Sequence, residues 1–148
     1  MTTASSSDPS TVDFWLHELR RRNWSLYFFG RDRARPELIA AVWHWPYCAD
    51  VVILRSEGDA IAFRTPTPNG RDMDVLDPEW VNWVYRHTAV WTLRAVLTLA
   101  DPGSPNALLH LMAAPECCRV PPEQRRPFTF RPTSNSHALQ VNTPGGMS

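Results

Sequence analysis

The sequence contains no lysine: all fifteen basic residues are arginine, and fifteen acidic residues balance them to a formal net charge of zero. That absence excludes the chemistries that need an ammonium group, among them a P-loop reaching for nucleotide phosphates, a pyridoxal phosphate Schiff base, a kinase-type lysine and a Ser-x-x-Lys acylation centre. Isoleucine is scarce too, with only Ile39, Ile53 and Ile61, and the two shortages together fit a GC-rich coding sequence. The positive charge is therefore carried by planar, weakly hydrated guanidinium groups that stack readily on rings, which makes the surface adhesive for its charge.

Cysteine is sparse and oddly numbered. Cys48, Cys117 and Cys118 include an adjacent pair, which does not suit a disulfide framework and points to reduced thiols. No run of about eighteen apolar residues occurs, so no membrane span is expected. The Ser- and Thr-rich opening has neither a basic stretch nor an apolar core, so it does not read as a secretory signal. A cytoplasmic protein is the expectation.

What is present is aromatic mass: seven tryptophans, six phenylalanines and three tyrosines, none in the first thirteen residues or the last eighteen. A chain of 148 residues can bury a core without a metal or disulfide staple. The expected organisation is a loose tail over 1–10, one domain over 11–132 and a second tail over 133–148. More than half of the fourteen prolines follow residue 100, which excludes long helices there.

Thr11 to Arg22 carries Val12, Trp15, Leu16 and Leu19 at helical spacing, with Asp13 at the front and Arg20 to Arg22 at the back, matching the helix dipole. Trp24 to Phe29 alternates as a strand, and Leu38 to Trp45 favours a strand over a helix because Ile39, Ala41, Trp43 and Trp45 share one face. Val51 to Thr65 predicts a hairpin about Glu57-Gly58. The expected register sets Ser56 opposite Asp59, Leu54 opposite Ile61 and Val52 opposite Phe63, with Arg55 and Arg64 together on the other face. Asp77-Pro78-Glu79 resembles a helix start, predicting a helix from Pro78 to about Arg86. Trp91 to Leu99 alternates and predicts a strand. Leu108 to Met112 and Phe128 to Arg131 complete the set as short edge strands. The fold class is α+β: a mainly antiparallel sheet of five to six strands with two short helices.

Catalytic motifs are missing. Neither Gly-x-Ser-x-Gly, Gly-x-Gly-x-x-Gly nor His-Glu-x-x-His occurs. His44 and Cys48 with Cys117 and Cys118 offer zinc-ligand types at unsuitable spacing. Asp72, Asp74 and Asp77 lack the glycine and oxygen ligands of a calcium loop. No metal and no cofactor are expected, and catalysis lacks positive support.

Arginine interleaved with aromatics is the pattern with a binding meaning. It runs from Arg20 through Trp24 and Tyr27 to Arg35, and recurs at Arg125-Arg126-Pro127-Phe128-Thr129-Phe130-Arg131. Such residues hold single-stranded nucleic acid, but a net charge of zero argues against that partner, and pairing with Asp32, Glu37, Glu116 and Glu123 is the simpler reading. Tryptophan and arginine left over from the core are the substance of protein-binding hot spots. The expectation is a non-catalytic module that binds a protein partner, or a second copy of itself, through Trp43, Trp45, Arg55, Arg64, Trp83 and Arg94. Alternatives are a single-stranded nucleic-acid binder and a small hydrolase or thiol enzyme using Cys48 or His87.

Overall fold

Helix α1 (Val12–Arg21) is fixed at both ends by local chemistry. At its start the Thr11 hydroxyl accepts from the Phe14 N–H at 3.2 Å, with Asp13 in the first turn. At its end Asn23 takes a left-handed φ of 67°. There the Trp24 N–H donates to the Leu19 carbonyl at 3.0 Å and the Asn23 N–H to that of Arg20 at 2.9 Å, a Schellman exit. That turn folds Trp24 back toward Leu19, and both lie in the same buried cluster.

A computed structural model describes residues 8–131 apart from 33, 106, 108, 109, 126 and 127; of the expected tails, residues 1–7 of the first (1–10) and all of the second (133–148) lie outside the described residues. After α1 come β1 (Ser25–Phe29), β2 (Leu38–His44), β3 (Cys48–Ser56) and β4 (Asp59–Pro66). They are followed by β5 (Trp80–Val81), β6 (Trp83–His87), helix α2 (Ala89–Leu97), β7 (Met112–Ala113) and β8 (Phe128–Arg131). Six strands form one antiparallel sheet in the order β6-β4-β3-β2-β1-β8, and β5 pairs separately with β7. The α+β class with a mainly antiparallel sheet is thus as expected. Gly30 closes β1 at a φ of +135°, where a Cβ would stand 2.8 Å from the Glu37 backbone nitrogen, so only glycine fits this corner.

Both faces of the sheet are buried, which explains the continuous apolar runs of β3 and β4. One face packs Val52, Leu54, Ala60 and Ala62 beneath α1 and α2, through Leu19, Leu93 and Val96. The other packs Val51, Ile53, Ile61 and Phe63 beneath a layer of turns contributing Val75, Leu76, Val81, Cys118 and Val120.

Three expectations are corrected. The segment over 78–86 is not a helix but the pair β5 and β6, and Asp77, expected as its cap, instead binds Arg119 at 3.1 Å. The segment over 91–99 is not a strand but mostly α2, because Ala89, Thr92, Leu93 and Val96 fall on one buried helical stripe. The hairpin turns at Glu57-Gly58 as expected, with Ser56 opposite Asp59, but a bulge at Arg55 then shifts the register by one. Leu54 therefore faces Ala60 and Val52 faces Ala62, and Arg55 and Arg64 leave the sheet on opposite sides. Of the described residues of the segment 108–112, only Met112 lies in a strand.

Candidate functional site

The register places Trp43, Asp50, Arg64 and Trp83 in one row across β2, β3, β4 and β6, on the face that the helices cover. At the centre of this row lies a buried ion pair. The Arg64 Nε donates to Asp50 Oδ1 at 2.6 Å and its Nη2 to Oδ2 at 2.9 Å, while Nη1 donates to the Ala100 carbonyl at 2.8 Å just beyond α2. The Trp45 indole N–H donates to the same carboxylate at 3.0 Å, and the Arg64 guanidinium lies 5.9 Å from the Trp45 ring centroid. Burial works against the charge on Arg64, but hydrogen bonds and charge from Asp50 outweigh it and hold the pKa above the ordinary arginine value. Arg64 is only 2% exposed, so it organises the interior and is not a surface contact.

Of the pair, Arg64 borders a cleft of about 750 Å3, whose lining also includes Trp45, Tyr47, Pro66, Asn82 and Asp101. Its shape is set by the β2–β3 turn: the Trp45 N–H donates to the Cys48 carbonyl at 2.8 Å, and the Thr67 N–H pins the Tyr47 carbonyl at 2.8 Å. The Tyr47 side chain stands out from that turn, 80% exposed.

A second feature begins at Trp83 and follows the sheet edge. Alternate residues of β6 point to one face, so Trp83, Tyr85 and His87 stack in file, with ring centroids 6.1 and 6.0 Å apart and planes within 4° and 14°. The Trp91 ring of α2 meets His87 edge-on at 6.2 Å, and the Arg94 guanidinium covers Trp91 at 4.6 Å. Four rings and one guanidinium thus make a continuous ladder, from half-buried Trp83 and Tyr85 to exposed His87, Trp91 and Arg94. Among the described residues β6 is also an end strand of the sheet, bonded to β4 alone.

The sequence-predicted residues divide accordingly. Trp83 and Arg94 sit at the two ends of the ladder. Trp43 and Trp45, whose rings meet at 6.1 Å, stand with Arg64 around the buried pair. Arg55 is apart from both, on the other face, donating to the Cys117 and Arg119 carbonyls at 3.1 and 3.0 Å beside a concavity of about 270 Å3 shared with Arg86 and Arg119. Asp50, Tyr47, Tyr85, Trp91 and Asp101 were missed as site residues. The alternation Trp83-x-Tyr85-x-His87 was the available signal, and the apparent helix start at Asp77-Pro78 obscured it. Among the described residues arginine does pair with acidic residues, though with Glu18, Asp50, Asp59, Asp74 and Asp77 rather than those expected. The aromatic and basic side chains of the 125–131 stretch lie outside the described residues beyond Arg125.

Cys48 and His87 stand at opposite ends of β4, opposite Pro66 and Ala60, a separation of about 20 Å along the strand, so they do not form a thiol–imidazole pair. Burial pushes the Cys48 thiol up to about 11 and that of Cys118 up to about 12. No group of three metal-ligating side chains gathers among the described residues, and no helix there is long and apolar enough to cross a membrane. No protein-family model matches the chain, and no curated protein or solved structure is similar to it.

Proposed function

We propose that this chain is a non-catalytic binding module that docks an extended segment of a protein along β6, with the Trp83–Tyr85–His87–Trp91 ladder and Arg94 as its contact surface. The observation that carries the reading is the continuity of that ladder on an end strand. An end strand offers unpaired backbone groups to an added strand, which supplies affinity, while alternate side chains supply selectivity. Rings with few rotatable bonds, joined to arginine, are the residues on which interfaces concentrate their energy. Among the described residues no carboxylate pairs with Arg94, so its charge is free to meet one from a partner.

Single-stranded nucleic acid is the less favoured occupant. Base stacking needs ring faces open to solvent, and the inner rings of the ladder turn their faces on one another. The local positive charge is Arg94 and Arg86, the latter paired with Asp59, against the clustered basic surface such binding uses. A cytoplasmic setting belongs to the same reading and is supported by three free thiols.

The test uses the full chain and its Tyr85→Ala/Trp91→Ala variant as parallel baits in lysate of the source organism, with both proteins also examined by sedimentation. A partner recovered by the wild type and lost by the variant supports the reading, as does a wild-type dimer that the variant dissociates, the two outcomes distinguishing a foreign segment from a second copy. Recovery that ignores the substitutions, or a wild-type monomer that retains no partner, contradicts it. An oligonucleotide retained at low salt and released by the variant would transfer the ladder to the nucleic-acid reading.

A further inference from the structure

The cleft above the Arg64–Asp50 pair is separate from the ladder surface and has a chemistry of its own. Its walls are largely ring and pyrrolidine: Trp45, Pro46 and Tyr47 from the β2–β3 turn, Pro66 from the end of β4 and Pro102 from the turn after α2. Its volume falls within the range of small-ligand sites. Three charged groups bear on it. Arg64 and Asp50 neutralise each other. The third, Asp101, lines the cleft, and its carboxylate has no hydrogen-bond or ion-pair partner among the described residues. The balance is one uncompensated negative charge beside two electron-rich rings, in a protein whose overall charge is zero. Aromatic faces beside a carboxylate recognise a soft organic cation, because the ring quadrupole and the carboxylate attract it together while the apolar walls suit its alkyl or planar surface.

We propose that this cleft binds an organic cation, an alkylated ammonium or a guanidinium, held between Trp45 and Tyr47 with its charge against Asp101. The turn carrying Tyr47 is pinned by the Thr67 N–H at 2.8 Å and the turn carrying Asp101 is closed by the Ser104 N–H donating to the Asp101 carbonyl at 3.0 Å, so the ring and the carboxylate are presented on hydrogen-bonded backbone. Two sources supply such a group: a free small amine, represented by choline, and an arginine side chain of a polypeptide, represented by arginine amide.

Isothermal titration calorimetry of the full chain with choline, with arginine amide and with 3,3-dimethylbutanol, the uncharged isostere of choline, tests the assignment. Saturable binding of either cation is expected in the millimolar range or tighter. Choline binding identifies a free amine as the source, and binding of arginine amide alone identifies a side chain. Asp101→Asn should weaken the bound cation about tenfold and leave the protein folded, since the carboxylate makes no hydrogen bond or close ion pair among the described residues and acts on Arg64 only through its charge. Tyr47→Ala, removing a ring that is already mostly in water, should weaken it without unfolding the protein. Absence of saturable binding by both cations, equal binding of the uncharged isostere, or full affinity in Asp101→Asn overturns the proposal. None of these results bears on the ladder, whose residues remain intact in every variant.

Discussion

Replacing Asp50 by Asn keeps the shape of the side chain and removes its charge, leaving the Arg64 guanidinium 2% exposed without its hydrogen-bonded carboxylate, the charge of Asp101 acting on it only from beyond ion-pair distance. Of the two charge-assisted hydrogen bonds, at 2.6 and 2.9 Å, one becomes a bond to a neutral amide oxygen and the other is lost, because the amide NH2 of the new residue faces an Arg64 N–H donor. Removing one member of a buried pair costs about 3–5 kcal/mol, because the remaining charge loses its partner without regaining water. Against a total stability on the order of 5–15 kcal/mol, that is a large fraction. Urea denaturation followed by tryptophan fluorescence should show the midpoint falling with an unchanged slope. The double substitution Asp50→Leu/Arg64→Met removes both charges and should recover at least half of the loss, since apolar groups of similar volume replace buried pairs at little cost. A loss below about 1 kcal/mol in Asp50→Asn, the value of an exposed pair, or a double variant weaker than the single one, would refute the reasoning.

The thiols give a second expectation: Ellman's reagent should label Cys117 rapidly in the native protein and reach buried Cys48 and Cys118 only on unfolding. Unfolded thiols ionise near 9, whereas burial holds Cys48 near 11 and Cys118 near 12, so above pH 9 the unfolded chain releases protons that the folded one retains. Their contribution to stability is complete below pH 9 and declines up to about pH 12, and Cys48→Ala should flatten that decline in a pH series of urea midpoints. Gly30→Ala places a Cβ 2.8 Å from the Glu37 nitrogen at a positive φ and should cost about 1–3 kcal/mol in the same denaturation assay; a neutral result would contradict the reading of that corner.

Much of the fold was legible because local and global preferences agree. The Thr11 cap, the apolar stripe and the terminal arginines all specify α1, and the Glu57-Gly58 pair marked the position of the turn between β3 and β4. Where the reading failed, two periodicities coexisted. Trp91, Leu93, Ala95 and Leu97 alternate as a strand would, yet Ala89, Thr92, Leu93 and Val96 are spaced for a helix, and packing over β3 and β4 selects the second pattern. Asp77-Pro78-Glu79 has the chemistry of a helix start, but Val81 pairs with Met112 and Phe63 with Val84, so long-range strand pairing overrides it. The register of the hairpin was misread because burial was assigned to one face, whereas the sheet is covered on both, and a single bulge at Arg55 moves every partner beyond it. The same bulge separates Arg55 from Arg64, a relation that no local pattern shows. The ladder was half legible: Trp83 and Arg94 were expected as binding residues and lie at its two ends, while Tyr85, His87 and Trp91 fall into line only once β6 and α2 exchange their expected roles.

The most direct measurement is hydrogen exchange across β6 in a complex with a partner whose recovery depends on Tyr85 and Trp91. An added strand should slow exchange at the outward-facing amides of Trp83–His87 relative to the free chain. Unchanged exchange there, with protection gained only on other surfaces, would contradict the assignment of this edge as the docking site.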